Sequence, residues 1–164
     1  MHRASLLLSL FALLPAVAAA VAPPCGGPEH RAFDFWLGDW RVYTPDGKLA
    51  GTNRIAREYG GCVLHEHYEN PKGYRGESLN VYDASRGVWH QTWVDNEGLL
   101  LVLEGGVRDG SMVLEGRAPG ADGQLVAHRV TWTPSADGSV RQHWQTSGAG
   151  GAWTTYFDGT YRRR

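Results

Sequence analysis

Short segments in which apolar and polar residues alternate fill the chain from Trp40 to the C-terminus. Trp89–Val94 and Val140–Ser147 carry aromatic or aliphatic side chains at about every second position, the period of a β-strand with one buried face. The run Leu99–Leu103 is apolar throughout, which predicts a strand covered on both faces. Only Pro28–Leu37 has a helical pattern. The chain therefore predicts an all-β fold preceded by a short helical turn.

Clusters of Pro, Asn, Asp and Gly interrupt these segments about every dozen residues. Such residues form turns because Gly and Asn tolerate positive φ and Pro fixes φ. Nine clusters separate ten segments, and short antiparallel strands leave no unpaired edge when their sheet closes. We predict a single up-and-down antiparallel β-barrel of about ten strands, with the helical turn capping one end. The clusters lie at residues 45–47, 60–61, 70–73, 83–87, 95–98, 108–110, 119–123, 134–138 and 148–151.

The N-terminus has the three regions of a secretory signal peptide. Arg3 is basic, Leu6–Leu14 is apolar, and Ala18–Ala20 offers small residues for cleavage. We expect an exported protein, periplasmic or secreted. No later apolar run approaches the length of a membrane-spanning helix, so stable membrane insertion is not expected. The predicted division is a signal peptide at residues 1–20, a lead-in at 21–32 and one barrel domain at 33–164.

The charge of the chain is close to neutral. Removing residues 1–20 changes the formal net charge from −1 (16 basic and 17 acidic residues) to −2 (15 basic and 17 acidic residues). The only basic run is Arg162–Arg164, which we interpret as a solvated tail. Nucleic-acid-binding domains need a basic patch, so nucleic acid is not expected as a partner.

Cys25 and Cys62 are the only cysteines of the sequence. In an oxidising compartment a disulfide between them is favoured, and it would tie the lead-in to the barrel wall. Closing a loop of this length stabilises a fold by roughly 3–4 kcal/mol. Two unpaired thiols are the alternative.

The segment Phe33–Val42 contains Gly38-Asp39-Trp40, which resembles the Gly-x-Trp motif that opens lipocalins and other calycins. The resemblance implies that Gly38 lets the chain turn into the first strand and that Trp40 plugs the closed end of the barrel. In calycins an Arg of the closing strand commonly packs across this Trp as a cation–π contact. Arg162 is expected to do so, with Arg41 and Arg163 as alternatives.

Nearly all of the mature chain resembles a family of exported bacterial proteins of unknown function with a calycin-like (lipocalin or fatty-acid-binding-protein-like) β-barrel. The family brings no established activity, so the function has to be argued from the residues. The segments that carry the resemblance, besides Phe33–Trp40, are Gly61–Cys62 leading to Glu66, Gly76–Asp83, Trp89–Asp95, Met112–Gly116, Arg141–Gln142 and Trp153–Tyr161.

A barrel of about ten strands encloses room for a small ligand. If Trp40 faces inward, alternation brings polar and aromatic residues of several strands to the lumen. We predict that they hold a small apolar or amphipathic molecule, and that Arg129 either pairs with Glu66 or meets a ligand carboxylate. An interior filled by water or by mutually satisfied polar groups is the alternative. The predicted lining is Glu66, Ser78, Asn80, Gln91, Trp93, Arg129, Gln142 and Trp144.

Two cofactor alternatives involve histidines. His65 and His67 share one strand face, with the spacing of metal sites on β-sheets. A third ligand would have to come from His90, His128 or His143, and the register of the pair points it away from the lumen. We therefore interpret the pair as surface histidines and expect no metal. Haem held by His128 or His143 is the second alternative, and no cofactor is the primary expectation.

Motifs of nucleophilic catalysis are not evident, since the sequence has no Gly-x-Ser-x-Gly elbow and no phosphate-cradling loop. The leading hypothesis is an exported binding module. The first alternative is an enzyme on the same barrel that acts on a small lipid or ketide, with Glu66 as general acid–base. The second alternative is a structural or protein-interaction domain of the envelope, without a ligand.

Overall fold

The computed structural model describes residues 24–148 and 151–164. The signal peptide predicted for residues 1–20 lies outside these residues. Helix α1 spans Pro28–Arg31, and 3₁₀ turns lie at Asp34–Trp36 and Tyr59–Gly61. The ten strands are β1 (Gly38–Tyr43), β2 (Leu49–Glu58), β3 (Val63–Glu69), β4 (Arg75–Asp83), β5 (Val88–Asp95), β6 (Leu100–Arg108), β7 (Ser111–Pro119), β8 (Leu125–Pro134), β9 (Val140–Ser147) and β10 (Thr154–Arg163).

The strands form one closed antiparallel barrel in which every strand pairs with its neighbours in sequence and β10 pairs with β1. The predicted all-β, ten-stranded up-and-down barrel is confirmed. The first eight predicted turn clusters coincide with the ends of strands and the connections that follow them, because they carry turn chemistry, and the ninth extends over residues 149–150, outside the described residues. At the β5–β6 turn, for example, Oδ1 of Asp95 accepts hydrogen bonds from the backbone N–H groups of Glu97 and Leu99.

The apolar run at the start of β6 is covered on one face only. Leu101 and Leu103 are buried, whereas Leu100 and Val102 point outward and are 60% and 42% exposed. The prediction of a strand covered on both faces is therefore wrong. The side chains alternate across the wall, and an apolar residue at an outward position stays in contact with solvent.

The end of the barrel at which β1 begins is closed by the helical segment, as predicted. The segment is split into α1 and the turn Asp34–Trp36 instead of one continuous helix to Leu37. Phe33 and Trp36 are fully buried and stack with ring centroids 4.9 Å apart. Trp40 is also fully buried, and its Nε1 donates a hydrogen bond to the Trp36 carbonyl (2.9 Å). The plug is thus shared by three aromatic residues.

A disulfide joins Cys25 to Cys62 and confirms the predicted pairing. Cys25 precedes α1, and Cys62 follows the 3₁₀ turn between β2 and β3. Arg57, near the end of β2, adds an ion pair to Asp34 of the plug and donates a hydrogen bond to the Gly61 carbonyl (2.8 Å). The lead-in is therefore held to the closed end of the barrel by a covalent bond and by charge.

Arg163, and not Arg162, packs across Trp40. The Arg163 guanidinium lies 4.3 Å from the Trp40 ring centroid, whereas Arg162 lies over Tyr43 on the other face of the wall. The register explains this correction, because Arg163 is the direct cross-strand partner of Trp40 and therefore shares its face. Gly38 has a φ of +133°, and a Cβ there would meet the Arg163 guanidinium.

We predict that Arg163→Ala lowers the free energy of unfolding by about 2 kcal/mol, since it removes the cation–π contact and a hydrogen bond to the Leu37 carbonyl. Arg162→Ala is the matched control and should cost about 0.5 kcal/mol. Urea denaturation of both variants measures the difference. Equal losses would contradict the assignment of the contact to Arg163.

Candidate functional site

A cavity of about 390 Å³ occupies the half of the barrel opposite the plug. Its mouth lies beside the turns that follow β3 and β5, and its floor lies at mid-barrel. The volume is within the range of pockets that hold small molecules. The cavity is lined by Ala50, Glu66, Tyr68, Asn70, Tyr74, Gln91, Trp93, Glu97, Leu101, Val130, Gln142, Trp144, Tyr156, Phe157 and Tyr161.

The walls near the mouth are mainly aromatic. Trp144 on β9 lies against Tyr156 of β10, with ring centroids 4.5 Å apart. On the other side, Trp93 lies directly over Gly76 of β4, where a Cβ would come within 2.2 Å of the indole ring. A side chain at position 76 would push this ring from its place, so the glycine is what lets Trp93 lie along the wall. Flat apolar surfaces thus surround the space.

Glu66 of β3 forms the centre of the floor and is 3% exposed. Its Oε1 accepts a hydrogen bond from Nδ2 of Asn53 (2.7 Å), and its Oε2 accepts one from the Ser78 hydroxyl (2.5 Å). Ser78 of β4 is the direct cross-strand partner of Glu66, and Asn53 of β2 is the partner of Tyr68, the next inward residue of β3. Both carboxylate oxygens are therefore held by the wall itself.

Burial raises the pKa of Glu66 from its ordinary 4.5 to about 7, because removal of water disfavours the ionised form. The hydrogen bonds from Ser78 and Asn53 act in the opposite direction, and so does the charge of His65 outside the wall. Burial is the larger effect. Near neutral pH, the floor therefore holds a carboxyl group that exchanges readily between its neutral and ionised forms.

A chain of hydrogen bonds extends from Glu66 across β4 and β5. Nδ2 of Asn80 donates to the Ser78 hydroxyl (2.8 Å) and to the Leu64 carbonyl (3.1 Å). Nε2 of Gln91 in turn donates to Oδ1 of Asn80 (2.7 Å). Asn80 and Gln91 are direct cross-strand partners, which places both amides on the inner face. The network satisfies buried groups that would otherwise be costly to remove from water.

On the other side of Glu66 the network crosses β2, β10 and β9. Nδ2 of Asn53 also lies 3.2 Å from the Tyr161 hydroxyl, and that hydroxyl donates to Oε1 of Gln142. Burial raises the pKa of Tyr161 well above its ordinary value, and the nearby charge of Glu66 adds to the effect. Tyr161 therefore stays a neutral donor, and the polar network extends from Gln91 of β5 to Gln142 of β9.

Most of the lumen residues predicted from the sequence face inward. Five of the eight line the cavity, and two more, Ser78 and Asn80, are buried in the network beside it. Arg129 does not face the lumen. The five lining residues are Glu66, Gln91, Trp93, Gln142 and Trp144.

Arg129 lies on the outer face of β8, and its expected contact with Glu66 is wrong. Its Nε donates to Oε1 of Glu115 (2.6 Å), and its guanidinium stacks on Trp153 at 4.2 Å. The inner face of β8 carries Val130 and Trp132, which have the opposite parity. Side chains alternate between the two faces of a strand, so Arg129 must point outward when Val130 and Trp132 point inward.

Sequence reasoning missed Asn53 and Tyr161 in the floor, as well as Tyr156 at the mouth. The alternation Gly51, Asn53, Ile55 was a usable signal for Asn53, since Ile55 needs a buried face. Tyr156 could not be found in this way. A register shift between Thr155 and Phe157 breaks the alternation of β10, and a bulge depends on the pairing of two strands.

The two histidines considered for haem lie on different faces. His143 is outside, with its Nε2 2.9 Å from the Thr155 hydroxyl. His128 is buried and accepts a hydrogen bond at Nδ1 from Nε1 of Trp144 (3.0 Å), and burial lowers its pKa. His128 thus braces the back of a cavity wall, because it fixes the orientation of the Trp144 ring.

His65 and His67 face outward, as their register predicts, and each contacts Glu77 of β4. Their side chains are partly exposed, and neither lines the cavity.

No helix within residues 24–148 and 151–164 is long and apolar enough to cross a membrane. The closed ten-stranded barrel is compatible with a calycin-like fold. No protein-family model matches the chain, and no curated protein matches it significantly.

Proposed function

We propose that the barrel binds one small amphipathic molecule in the cavity, with its apolar part against the aromatic walls and its polar end at the floor. The observation that carries the proposal is the cavity itself, about 390 Å³ of space with aromatic walls above a hydrogen-bonding floor. Apolar walls with a few convergent polar groups are the usual composition of small-molecule sites.

The charges of the lining favour an uncharged or amine-bearing ligand. Among the described residues that line the cavity there is no lysine or arginine, while Glu66 and Glu97 are both present. A ligand carboxylate would therefore lose water without gaining a cationic partner. Arg129, which was expected to meet such a carboxylate, lies on the outer face of β8 and pairs with Glu115 there.

The floor leaves polar atoms for a ligand. Gln91 uses Nε2 within the network and Gln142 uses Oε1, which leaves an amide oxygen and an amide nitrogen at opposite sides of the floor. A ligand that carries both a donor and an acceptor at its inner end fits this arrangement. Hydroxyl, amide and carbonyl groups are the matching chemistry.

A binding role is favoured over an acid–base role for Glu66. Each of its oxygens already accepts a short hydrogen bond from Asn53 or Ser78. A general acid–base must bring an oxygen to the proton that it transfers, and Glu66, held at both oxygens and 3% exposed, has little freedom to move toward a ligand. A purely structural domain, in turn, would fill its lumen with side chains instead of keeping a cavity open.

The proposal includes export to an oxidising compartment and kinship with the exported calycin-like family. The Cys25–Cys62 disulfide supports the compartment, since disulfides persist where thiols are not kept reduced. The barrel topology supports the kinship.

A fluorescence titration with N-phenyl-1-naphthylamine, an uncharged aromatic amine, tests the binding site. We expect saturable binding at one probe per chain, and Trp144→Ala should weaken it at least tenfold, about 1.4 kcal/mol, because Trp144 supplies a wall of the cavity.

Arg129→Ala is the matched control, since it removes a large side chain from the outer face of the adjacent strand. It should leave the affinity unchanged. Thermal melts verify that both variants fold. Equal weakening by the two substitutions, or no saturable binding to the unaltered protein, would overturn the proposed site.

A further inference from the structure

The outer face of β3 carries a cluster of two imidazoles and two carboxylates that is separate from the cavity. His65 and His67 lie side by side with ring centroids 4.0 Å apart. Glu58 at the end of β2 and Glu77 on β4 flank them. The β2–β3 and β3–β4 pairings bring these three strands together, so the cluster is assembled across two consecutive hairpins.

We propose that Glu58, His65 and His67 bind a divalent transition metal ion of the zinc class, with Glu77 as the outer partner of the histidines. One ligand atom from each of the first three residues lies within 4.8 Å of the others. Two imidazoles and one carboxylate form a ligand set that suits Zn²⁺, whereas Ca²⁺ and Mg²⁺ take oxygen ligands.

The spacing fits tetrahedral coordination. Bonds of about 2.0–2.2 Å to nitrogen and oxygen place neighbouring ligand atoms roughly 3.3 Å apart. Nδ1 of His65 lies 3.1 Å from Oε2 of Glu58, close to that separation. His67 is 41% exposed, which leaves it room to turn its ring toward the same point.

Glu77 contacts both histidines and is placed to hold their rings in position. Its Oε2 lies 3.3 Å from Nε2 of His65, the ring nitrogen opposite the one that faces Glu58. A metal-bound histidine commonly donates its other N–H to a carboxylate, which fixes the ring and strengthens the ligand. The same carboxylate reaches His67 through Oε1 at 3.2 Å.

The site is open to solvent. His67 and Glu77 line an outer groove of about 520 Å³, so an ion reaches the site from solvent and can keep water in a free coordination position. Glu58 and Glu77 contact the imidazoles directly and supply negative charge at the ion, although the same groove is also lined by Arg54, Arg75 and Arg164. Sequence reasoning looked for a third histidine, and the pairing of β2 with β3 supplies Glu58 instead.

Calorimetric titration of the untagged full chain with ZnCl₂, after EDTA treatment and dialysis, tests the site. We expect one Zn²⁺ per chain, and a double variant, His65→Ala with His67→Ala, should bind at least 100-fold more weakly because it loses two of three ligands. Glu77→Gln should weaken binding about tenfold, because it removes the carboxylate that orients the two histidine rings. With Co²⁺ as the probe, visible absorption bands of a tetrahedral complex should appear and be absent from the double variant.

His90→Ala is the matched control, because His90 is another outward histidine paired with a glutamate, 3.0 Å from Glu104. It should bind Zn²⁺ like the unaltered chain. Circular dichroism confirms that each variant is folded. Absence of one-to-one binding, or equal loss in His90→Ala, would overturn the metal site. Probe binding in the cavity is measured separately in EDTA, so failure of one site is distinguishable from failure of the other.

Discussion

Glu66→Gln is expected to raise the free energy of unfolding by about 3 kcal/mol at pH 8.5 and to change it little at pH 4. The reason is the burial of the carboxyl group, which raises its pKa from 4.5 to about 7. A shift of this size corresponds to roughly 1.4 kcal/mol for each unit of pKa. The amide of Gln stays neutral, and it can accept from Asn53 and donate to the Ser78 oxygen in the same place.

The direction in which the stability contribution of Glu66 changes with pH follows from proton linkage. Between pH 4.5 and about 7 the folded protein keeps the Glu66 proton while the unfolded chain has lost it. The contribution of Glu66 to stability is therefore fully present below pH 4.5, and it is lost as the pH rises through 7. Asn53 and Ser78 of the neighbouring strands are neutral, and so are Tyr161 of β10 and Tyr68 of β3, whose hydroxyl pKa values burial raises. His65, next to Glu66 in sequence, lies on the outer face.

Urea denaturation at the two pH values measures this effect, with EDTA present so that no cation adds charge beside β3. Glu69→Gln is the matched control, since Glu69 is exposed on the same strand. It should change the free energy of unfolding by less than about 0.5 kcal/mol at either pH. A Glu66→Gln variant that is less stable than the unaltered chain at pH 8.5 would show that ionised Glu66 is needed for the fold.

Removal of the disulfide is expected to lower the free energy of unfolding by about 3–4 kcal/mol. Cys25 and Cys62 are 37 residues apart, and opening this loop frees the unfolded chain to occupy many more conformations. The double variant Cys25→Ala with Cys62→Ala tests this by urea denaturation. The unaltered protein reduced with dithiothreitol should show the same midpoint as the variant.

The plug should remain in place after this change, because the contacts of Phe33 and Trp36 do not involve the cysteines. Near-ultraviolet circular dichroism reports on those aromatic rings. A loss below about 1 kcal/mol would contradict the cross-link as a main source of stability, and loss of the aromatic signal in native buffer would contradict the independence of the plug.

The fold could be predicted because its signals are local. Turn chemistry such as Asp95 to Gly98 and the two-residue period of β5 act within a few residues, and no distant contact overrides them. The same period correctly placed Glu66, Gln91 and Gln142 inside. It could also have placed Arg129 outside, since Val130 and Trp132 fix the parity of β8.

The features that could not be predicted depend on which residues face each other across strands. The contact of Trp40 with Arg163 instead of Arg162 follows from the pairing of the first strand with the last, more than one hundred residues apart. Glu58 joins His65 through the β2–β3 register, and the bulge beside Tyr156 arises only when β10 meets β9. Such pairings leave no pattern within a single segment.

Native mass spectrometry of the protein, produced from its full-length sequence and purified without denaturation, tests the central claim that the lumen holds a small amphipathic molecule. Leu101→Trp fills the cavity from its inner face, and Val102→Trp adds the same side chain to the outer face of β6. We predict one extra small-molecule mass per chain, present directly or after incubation with a lipid extract, retained in Val102→Trp and lost in Leu101→Trp. A bare protein mass after that incubation, or an extra mass that Leu101→Trp retains, would contradict binding in the lumen.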